Sequence, residues 1–232
     1  VTPLERIVVV VPARDEAATI ARCVRSVRAA AERVALAVDP RVDLRVDLVV
    51  VADACVDDTA GTASAAGARV VRSLAGNVGA ARAAGVRAAL AGRSRRELAT
   101  TWIACTDADS VVPPGWLEHH RRQADDGVDL LLGTVRLAAP PTAHAEWRTR
   151  YAAGTWATGH RHVHGANLGV RASTYEAVGG FPHRRAHEDR DLVARVRSWT
   201  AARVLSSPGH PVVTSDRLVG RTPQGVAHDL SA

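Results

Sequence analysis

Ile7-Val8-Val9-Val10-Val11-Pro12-Ala13-Arg14-Asp15-Glu16 decides the fold class. Five consecutive β-branched residues read as a strand buried on both faces, the pattern of a parallel sheet covered by helices. Pro12 stops the strand. Asp15 is placed to cap a helix in which Ile20, Val24, Val27, Ala31 and Val34 recur at helical spacing. The alternation then repeats. Val46–Ala52 reads as a second strand ending at Asp53, with Asp57 and Asp58 in a first helical turn, where the dipole favours carboxylates. Arg69–Arg72 is a short third strand, and Gly76-Asn77-Val78-Gly79 opens an alanine-rich helix running to about Ala91. Trp102–Thr106 is the fourth strand. This βαβαβαβ order predicts an α/β fold with a mainly parallel central sheet and helices on both faces. Right-handed crossovers bring the carboxyl ends of the strands to one edge, where open α/β sheets bind ligands.

That edge is polar. Pro12, Ala13, Arg14 and Glu16 follow the first strand, Asp53 the second, Asn77 the third, and Asp107 and Asp109 the fourth. In an extended segment, residues i and i+2 project to one side, so Asp107 and Asp109 can meet one cation. Mg²⁺ and Mn²⁺ favour carboxylate oxygens and bridge to phosphates. By itself an Asp-x-Asp is as well read as a solvated strand end; polar residues after four separate strands favour a site. Asn77 either contacts a ligand base or caps its helix, and capping is the simpler role.

Nothing in the 232 residues reads as a linker or repeat, so one domain over 1–232 is expected. Lysine is absent, and all 30 basic residues are arginine. A formal charge of +6 suits an anionic ligand or an anionic membrane surface. The arginines are dispersed through helices, and two Tyr and one Phe are too few for a base-stacking platform, which argues against nucleic acid. Cys23, Cys55 and Cys105 are odd in number and lack metal spacing, the pattern of reduced thiols in the cytoplasm. Apolar runs are strand-length, and no signal peptide precedes Ile7. No integral membrane segment is expected, while peripheral membrane contact stays open.

The second half is less regular. Val128–Leu137 reads as a strand, His144–Thr158 as a helix, and Gly165–Arg171 as a glycine-punctuated strand or loop. Ser173 would cap a short helix ending at Gly179-Gly180, and an amphipathic turn follows His187-Glu188-Asp189-Arg190-Asp191. Ala202–Leu205 and Pro211–Thr214 look like two short strands. His160, His162 and His164 alternate and would share one side of an extended segment, as a metal site or, more simply, as polar residues beside a loop.

In this order the motifs resemble the family 2 glycosyltransferases. The likeness runs from about Ile7 to at least Val196. It is carried by Val-Val-Pro-Ala-Arg-Asp-Glu, Val-Val-Val-Ala-Asp-Ala-Cys-Val-Asp-Asp-Thr, Asn-Val-Gly-Ala-Ala-Arg-Ala-Ala-Gly, Asp-Ala-Asp, Gly-Ala-Asn-Leu-Gly-Val-Arg with Val-Gly-Gly-Phe, and Glu-Asp-Arg-Asp-Leu. The resemblance implies a GT-A fold, with a nucleotide-binding half over about 1–110 and an acceptor-binding half over about 111–232. It implies inverting transfer of one sugar from a nucleotide-diphospho-sugar (UDP-, GDP- or dTDP-linked) with Mn²⁺ or Mg²⁺. Pro12, Ala13, Arg14, Glu16 and Asp53 would hold base and ribose, with Asn77 beside them. Asp107 would approach the ribose or the metal, and Asp109 would bind the metal. Asp189 falls at the catalytic-base position with Glu188 its neighbour, next to an acceptor loop of Gly165, Ala166 and Asn167. A third metal ligand would come from His210 or His228, while Arg217 and Arg221 take no assigned role. Ala54 and Val56 depart from the polar residues common in the family, and the Gln-x-x-Arg-Trp signature of processive synthases is absent.

Other classes fit less well. A phosphatase of the haloacid dehalogenase type would use Asp107-Ala-Asp109-Ser-Val111, but needs that motif after its first strand. A nicotinamide oxidoreductase needs a glycine fingerprint where Pro-Ala-Arg-Asp-Glu stands. A nucleotidylyltransferase wants a glycine-rich first loop. A nucleotide-sugar-binding protein without catalysis would have no need of both the aspartate pair and Glu188-Asp189.

Overall fold

A computed structural model describes residues 3–37, 43–220 and 226–231. The chain runs β1 (Arg6–Ala13), α1 (Ile20–Leu36), β2 (Arg45–Asp53), α2 (Thr59–Ala65), β3 (Arg69–Ser73), α3 (Val78–Leu90), α4 (Arg95–Ala99), β4 (Thr101–Cys105) and α5 (Trp116–Asp125). Then come β5 (Leu130–Leu137), α6 (Ala145–Ala152), a small hairpin of β6 (Thr155–Trp156) and β7 (Gly159–His160), β8 (Leu168–Arg171), α7 (Ala172–Ala177), α8 (Glu188–Ser198), β9 (Val204–Thr214) and α9 (Val226–Ser231). Seven strands form one sheet in the order β3-β2-β1-β4-β8-β5-β9. Only β8 is antiparallel to its neighbours, β4 and β5. The sheet is therefore α/β and mainly parallel, as the strand pattern predicts.

β1 shows why its five β-branched residues are needed. Ile7, Val9 and Val11 face one layer, packed with Ile20, Val24 and Val27 of α1 and with Trp116 and Leu117 of α5. Val8 and Val10 face the other, with Ala81 and Val86 of α3 and Leu192, Val193 and Val196 of α8. A third, smaller cluster joins Val135 and Leu137 of β5 to Trp147 of α6 and Ala166. Among the described residues, no helix is long and apolar enough to cross a membrane.

Several local expectations are corrected. Asp15 does not cap α1. It takes a left-handed backbone (φ 53°), and its carboxylate accepts from Val56 N at 2.7 Å, tying the β1 loop to the β2 loop. The helix starts later, at Ile20. Asp57 and Asp58 precede α2, and Asp57 accepts from Ala17 N and Thr59 N. The helix expected over His144–Thr158 stops at Ala152; Thr155 and Trp156 pair instead with Gly159 and His160. Ser173 lies inside α7, which begins directly off β8. Ala202–Leu205 and Pro211–Thr214 are not two strands. Val204–Thr214 is one strand with an irregularity opposite Gly133–Val135, which absorbs Pro208, Gly209 and Pro211. The unforeseen helix α4 carries a capping box between Ser94 and Glu97.

Around β4, α5 and β8 the core is polar yet nearly satisfied. Trp102 Nε1 donates to His120 Nδ1 at 2.9 Å, and Trp116 Nε1 donates to Asn167 Oδ1 at 2.8 Å. A Cβ on Gly169 would lie 2.5 Å from His120 Nδ1 and 2.6 Å from the Trp102 ring, so only glycine lets β8 pass this layer. His120 is 1% exposed, and burial pushes its pKa down to about 3. Below pH 6.5 the unfolded chain takes up a proton at this imidazole that the fold refuses, so stability is lost as pH falls. From pH 7.5 to 5.0 this residue alone should remove about 2 kcal/mol. Urea unfolding at the two pH values should show a loss smaller by about that amount in His120→Gln, whatever the variant costs at neutral pH.

Candidate active site

A cavity of ≈ 290 Å³ opens at the carboxyl ends of β1, β2 and β4. It is near the size range of small-ligand pockets. Pro12, Ala13, Arg14 and Glu16 form its wall after β1, Asp53 the wall after β2, Asn77 the start of α3, and Asp107 and Asp109 the floor after β4. Gly165, Ala166, Glu188 and Asp189 close the opposite side. Twelve of the thirteen residues expected at the site thus share one cavity; Asn167 does not line it.

Local chemistry explains each position on the strand side. Asp53 is buried, and its two oxygens accept from Gly76 N (3.2 Å) and Asn77 N (2.8 Å), so it shapes the turn into α3. Asn77 is the N-cap of α3, accepting from Ala80 N at 3.0 Å. Capping is therefore its role in the fold, with the side chain at the cavity edge. Gly79 permits a backbone crossing: a Cβ there would lie 2.1 Å from the Pro182 carbonyl oxygen, and Gly79 N donates to Arg184 O. That contact docks the segment leading into α8 against α3.

Asp107 and Asp109 are not extended. β4 ends at Cys105, and Ser110 N donates back to Asp107 O at 3.0 Å, so the pair sits in a turn. The two carboxylates nevertheless both reach the cavity, with different partners. Asp107 Oδ1 accepts from Arg82 Nη2 at 2.6 Å; Asp109 Oδ2 pairs with Arg217 Nη2 at 3.1 Å. Burial first, then the charge of Asp107, push the Asp109 carboxyl up to about 6, against the pull of Arg217. Glu16, also nearly buried, pairs with Arg217 Nη1 at 2.6 Å. Asp107 and Asp109 offer carboxylate oxygens, the donor type that suits a hard divalent cation. Among the described residues, three ligand atoms converge only at Asp15, Cys55 and Asp57. Those carboxylates are taken up by backbone amides, and Asp109 with Asp107 would need oxygens from a ligand to complete a coordination shell.

Arg82 is a cavity residue that lies within the Asn-Val-Gly-Ala-Ala-Arg-Ala-Ala-Gly motif but takes no assigned role there. Its guanidinium is 3% exposed and joins Asp107 to Glu188, whose Oε1 accepts from Nε at 3.1 Å. Burial opposes its charge, but Asp107 and then Glu188 outweigh that and raise its pKa. Nη1 is buried without a hydrogen-bond partner. The signal was present in the periodicity, since Gly79, Arg82, Val86 and Ala89 fall on the buried face of α3.

On the far side, Asp189 sits in the first turn of α8. Its Oδ2 accepts from Gly165 N and its Oδ1 from Arg190 N, each at 2.7 Å. Glu188, buried and bound to Arg82, has its pKa raised by burial first, with Arg82 working against it. Asn167 turns into the core, where Trp116, Thr134 O and His210 O occupy its amide. His160, His162 and His164 stack with Tyr151 and bond to Leu132 O, Tyr151 O and the Tyr151 hydroxyl, the simpler of their two readings. His210 is not placed as a metal ligand, for its ring stacks on His119 at 4.6 Å, outside the cavity lining. Arg221 and the His228 side chain lie outside the described residues. Cys23 and Cys105 are free and buried, and burial raises both thiol pKa values.

The sequence profile described as glycosyl transferase family 2 matches residues 8–189. No curated protein matches the chain. Similar solved structures include residues 1–349 of S. aureus TarS, with TM-score 0.64 at 14% identity over 91% of this chain and 60% of that one. The mannosyltransferase PcManGT from Pyrobaculum calidifontis, in complex with GDP-Man and Mn²⁺, gives 0.59 at 21% over 99% and 61%. Glucosyl-3-phosphoglycerate synthase from Mycobacterium tuberculosis, with Mn²⁺, UDP and phosphoglyceric acid, gives 0.53 at 19% over 91% and 71%. The chain thus spans about three fifths of the TarS and PcManGT structures. At these identities the likeness establishes the GT-A architecture, and the profile over residues 8–189 establishes the family: the chain belongs to glycosyl transferase family 2.

Proposed function

We propose that this chain transfers one sugar, with inversion, from a nucleotide-diphospho-sugar to an acceptor hydroxyl, within a single domain whose two halves face each other across the cavity. The observation that carries the reading is that Asp107, Asp109 and Asp189 line one cavity. Pro12, Ala13, Arg14 and Asp53 border the space for base and ribose, with UDP, GDP and dTDP donors all to be tried. Asp109, with Asp107, holds the divalent cation. When bound, Mn²⁺ or Mg²⁺ offsets the negative charge growing on the departing nucleoside diphosphate.

Asp189 takes the proton of the acceptor hydroxyl as that oxygen attacks C1 of the sugar and the bond to the diphosphate breaks. The Gly165 and Arg190 amides fix its carboxylate in one orientation. Glu188 is unsuited to this role because its carboxylate is held by Arg82. It acts as a positioning residue, keeping Arg82 between the two walls. Gly165 and Ala166 border the acceptor, with Asn167 supporting them from the core. The Arg82 pair also argues against Asp107 as a phosphatase nucleophile. Free, buried Cys23 and Cys105 suit a cytoplasmic setting.

Asp109→Asn should abolish the Mn²⁺-dependent part of UDP or GDP binding in thermal-shift titrations. Equal nucleotide affinity in chelator and in metal, for both proteins, would overturn the metal assignment. Asp189→Asn should lower turnover on the order of 10²–10⁴-fold with nucleotide affinity kept. Its local cost is one mismatched amide contact, about 1 kcal/mol. Glu188→Gln should instead show itself in stability, since opening one side of a buried ion pair costs about 3–5 kcal/mol. A turnover loss at Glu188 with none at Asp189 would reverse the assignment of the base. Survival of transfer-competent nucleotide binding with no turnover in the unaltered protein would favour a binding role.

A further inference from the structure

Five arginines line the cavity, and they are not equally occupied. Arg82 is held by Asp107 and Glu188, Arg217 by Glu16 and Asp109, and Arg14 is engaged as well. Arg185, in the segment before α8, and Arg190, in the first turn of α8, are exposed and have no ion pair among the described residues. Nearby acids do not supply one. Asp191 takes Arg184 at 3.4 Å, and both oxygens of Asp189 accept from the Gly165 and Arg190 amides. Asp229 of α9 also lines the cavity and pairs with neither. A cation in the first turn of a helix faces the positive end of the dipole, so the fold gains nothing from the charge of Arg190.

A third donor shares the lining. His164 immediately precedes Gly165, and its ring packs with those of His162 and Tyr151, centroids 5.9 and 5.6 Å away. The Tyr151 hydroxyl oxygen accepts from Val135 N at 2.9 Å, which leaves its single proton for His164 Nε2 at 3.1 Å. Burial first, then His162, His160 and Arg190, push the pKa of this ring down to about 3, so it is neutral near pH 7. A neutral imidazole whose Nε2 accepts carries its proton on Nδ1. That Nδ1 has no hydrogen-bond partner among the described residues. It is a donor held in one tautomer on the cavity wall.

We propose that Arg185, Arg190 and His164 form an oxyanion subsite, and that the acceptor is a hydroxyl compound that also carries a phosphate or carboxylate group. This rests on the reading of Asp189 as the base, which brings the acceptor to these residues. A phosphate or carboxylate takes charge-assisted bonds from the guanidinium groups and a further one from Nδ1–H. An uncharged hydroxyl compound would satisfy His164 and leave both arginines to water. An ammonium compound would meet three donors and no acceptor. Arg190 follows Asp189 in the chain, so an anion seated on it fixes the acceptor next to the base. Binding energy at a non-reacting group is then spent on orienting the reacting one.

The test is nitrogen NMR of the histidine rings in chelator, without nucleotide, with the His164 signals assigned by their loss in His164→Phe. Hydroxyethyl phosphate, glycolate and ethylene glycol are titrated in turn at constant ionic strength, with affinities read by calorimetry. Free His164 should show its proton on Nδ1. At least one of the two anions should move that signal saturably and bind about tenfold or more tightly than ethylene glycol, the size expected of a charge-assisted bond. The tighter of the two identifies the anion as phosphate or carboxylate. Arg185→Gln and Arg190→Gln should each weaken it about tenfold, and the double variant should abolish it. His164→Asn, whose amide N–H can stand in for Nδ1–H, should bind the anion more tightly than His164→Phe. A His164 proton on Nε2, ethylene glycol binding as well as the anions, no anion binding, or binding indifferent to both arginine changes would each overturn the subsite. No step needs metal or donor, so failure here leaves the Asp109 and Asp189 assignments standing; those fall instead through Mn²⁺ dependence and turnover.

Discussion

The structure turns on how excess negative charge is held at the carboxyl edge of a parallel sheet. Strand order alone brings Glu16, Asp53, Asp107 and Asp109 to one rim, and Asp189 joins them from α8. In a partly buried site such a cluster cannot stay ionised without compensation. Each carboxylate meets a different device. Asp53 rests on two backbone amides, Asp107 on Arg82, and Glu16 and Asp109 on Arg217, while Asp189 receives two amide hydrogens. The amide-held groups are fixed by the fold itself. The arginine-held groups depend on side chains that can exchange partners, and these are the ones facing the proposed metal.

Arg82 links the two walls of the cavity. Through Asp107 it touches the turn after β4, and through Glu188 the first turn of α8. Its helix is in turn fixed at both levels: Asn77 caps it, and Gly79 lets the Pro182–Arg184 backbone cross it closely. The spacing between Asp107 and Asp189 is thereby set by one helix rather than by two loops. A loop-borne arrangement would let the proposed base drift, and small misplacements of a reacting group are costly to rate.

The fold class was legible because β1 must satisfy two layers at once, and only an unbroken β-branched run does so. Asn77 and its glycine-bearing helix were legible for the same local reason. Less visible were features set by contacts distant in sequence. Asp15 looked like a helix cap, yet a bond to Val56 N drew it into a left-handed turn. β9 read as two strands because Pro208 and Pro211 interrupt its pattern, and only pairing with β5 shows that it continues. α4 was legible and passed over, since Ser94 and Glu97 carry the capping-box spacing. In the site, the rim carboxylates announced themselves by following strands. Arg82 did not: the Asn-Val-Gly-Ala-Ala-Arg-Ala-Ala-Gly stretch that contains it gave it no role, and its place on the Gly79–Val86–Ala89 stripe was the available sign. Arg217 was harder still. Nothing near it in sequence says that it reaches two carboxylates more than a hundred residues away.

Glu188 and Asp189 are adjacent in sequence, and chemistry alone does not rank them. Their surroundings do. α8 turns Glu188 inward, where it is 4% exposed and answers to Arg82, so it resists taking a proton from a substrate without losing its partner. Asp189 lines the cavity with both oxygens met by neutral amides, which orient a carboxylate. A group held by backbone dipoles keeps its remaining lone pairs free for a ligand, whereas a group held by a guanidinium has already committed some of them. On the proposed reading, the one-residue step along a helix, about 100° of rotation, separates a structural counter-ion from the proposed base.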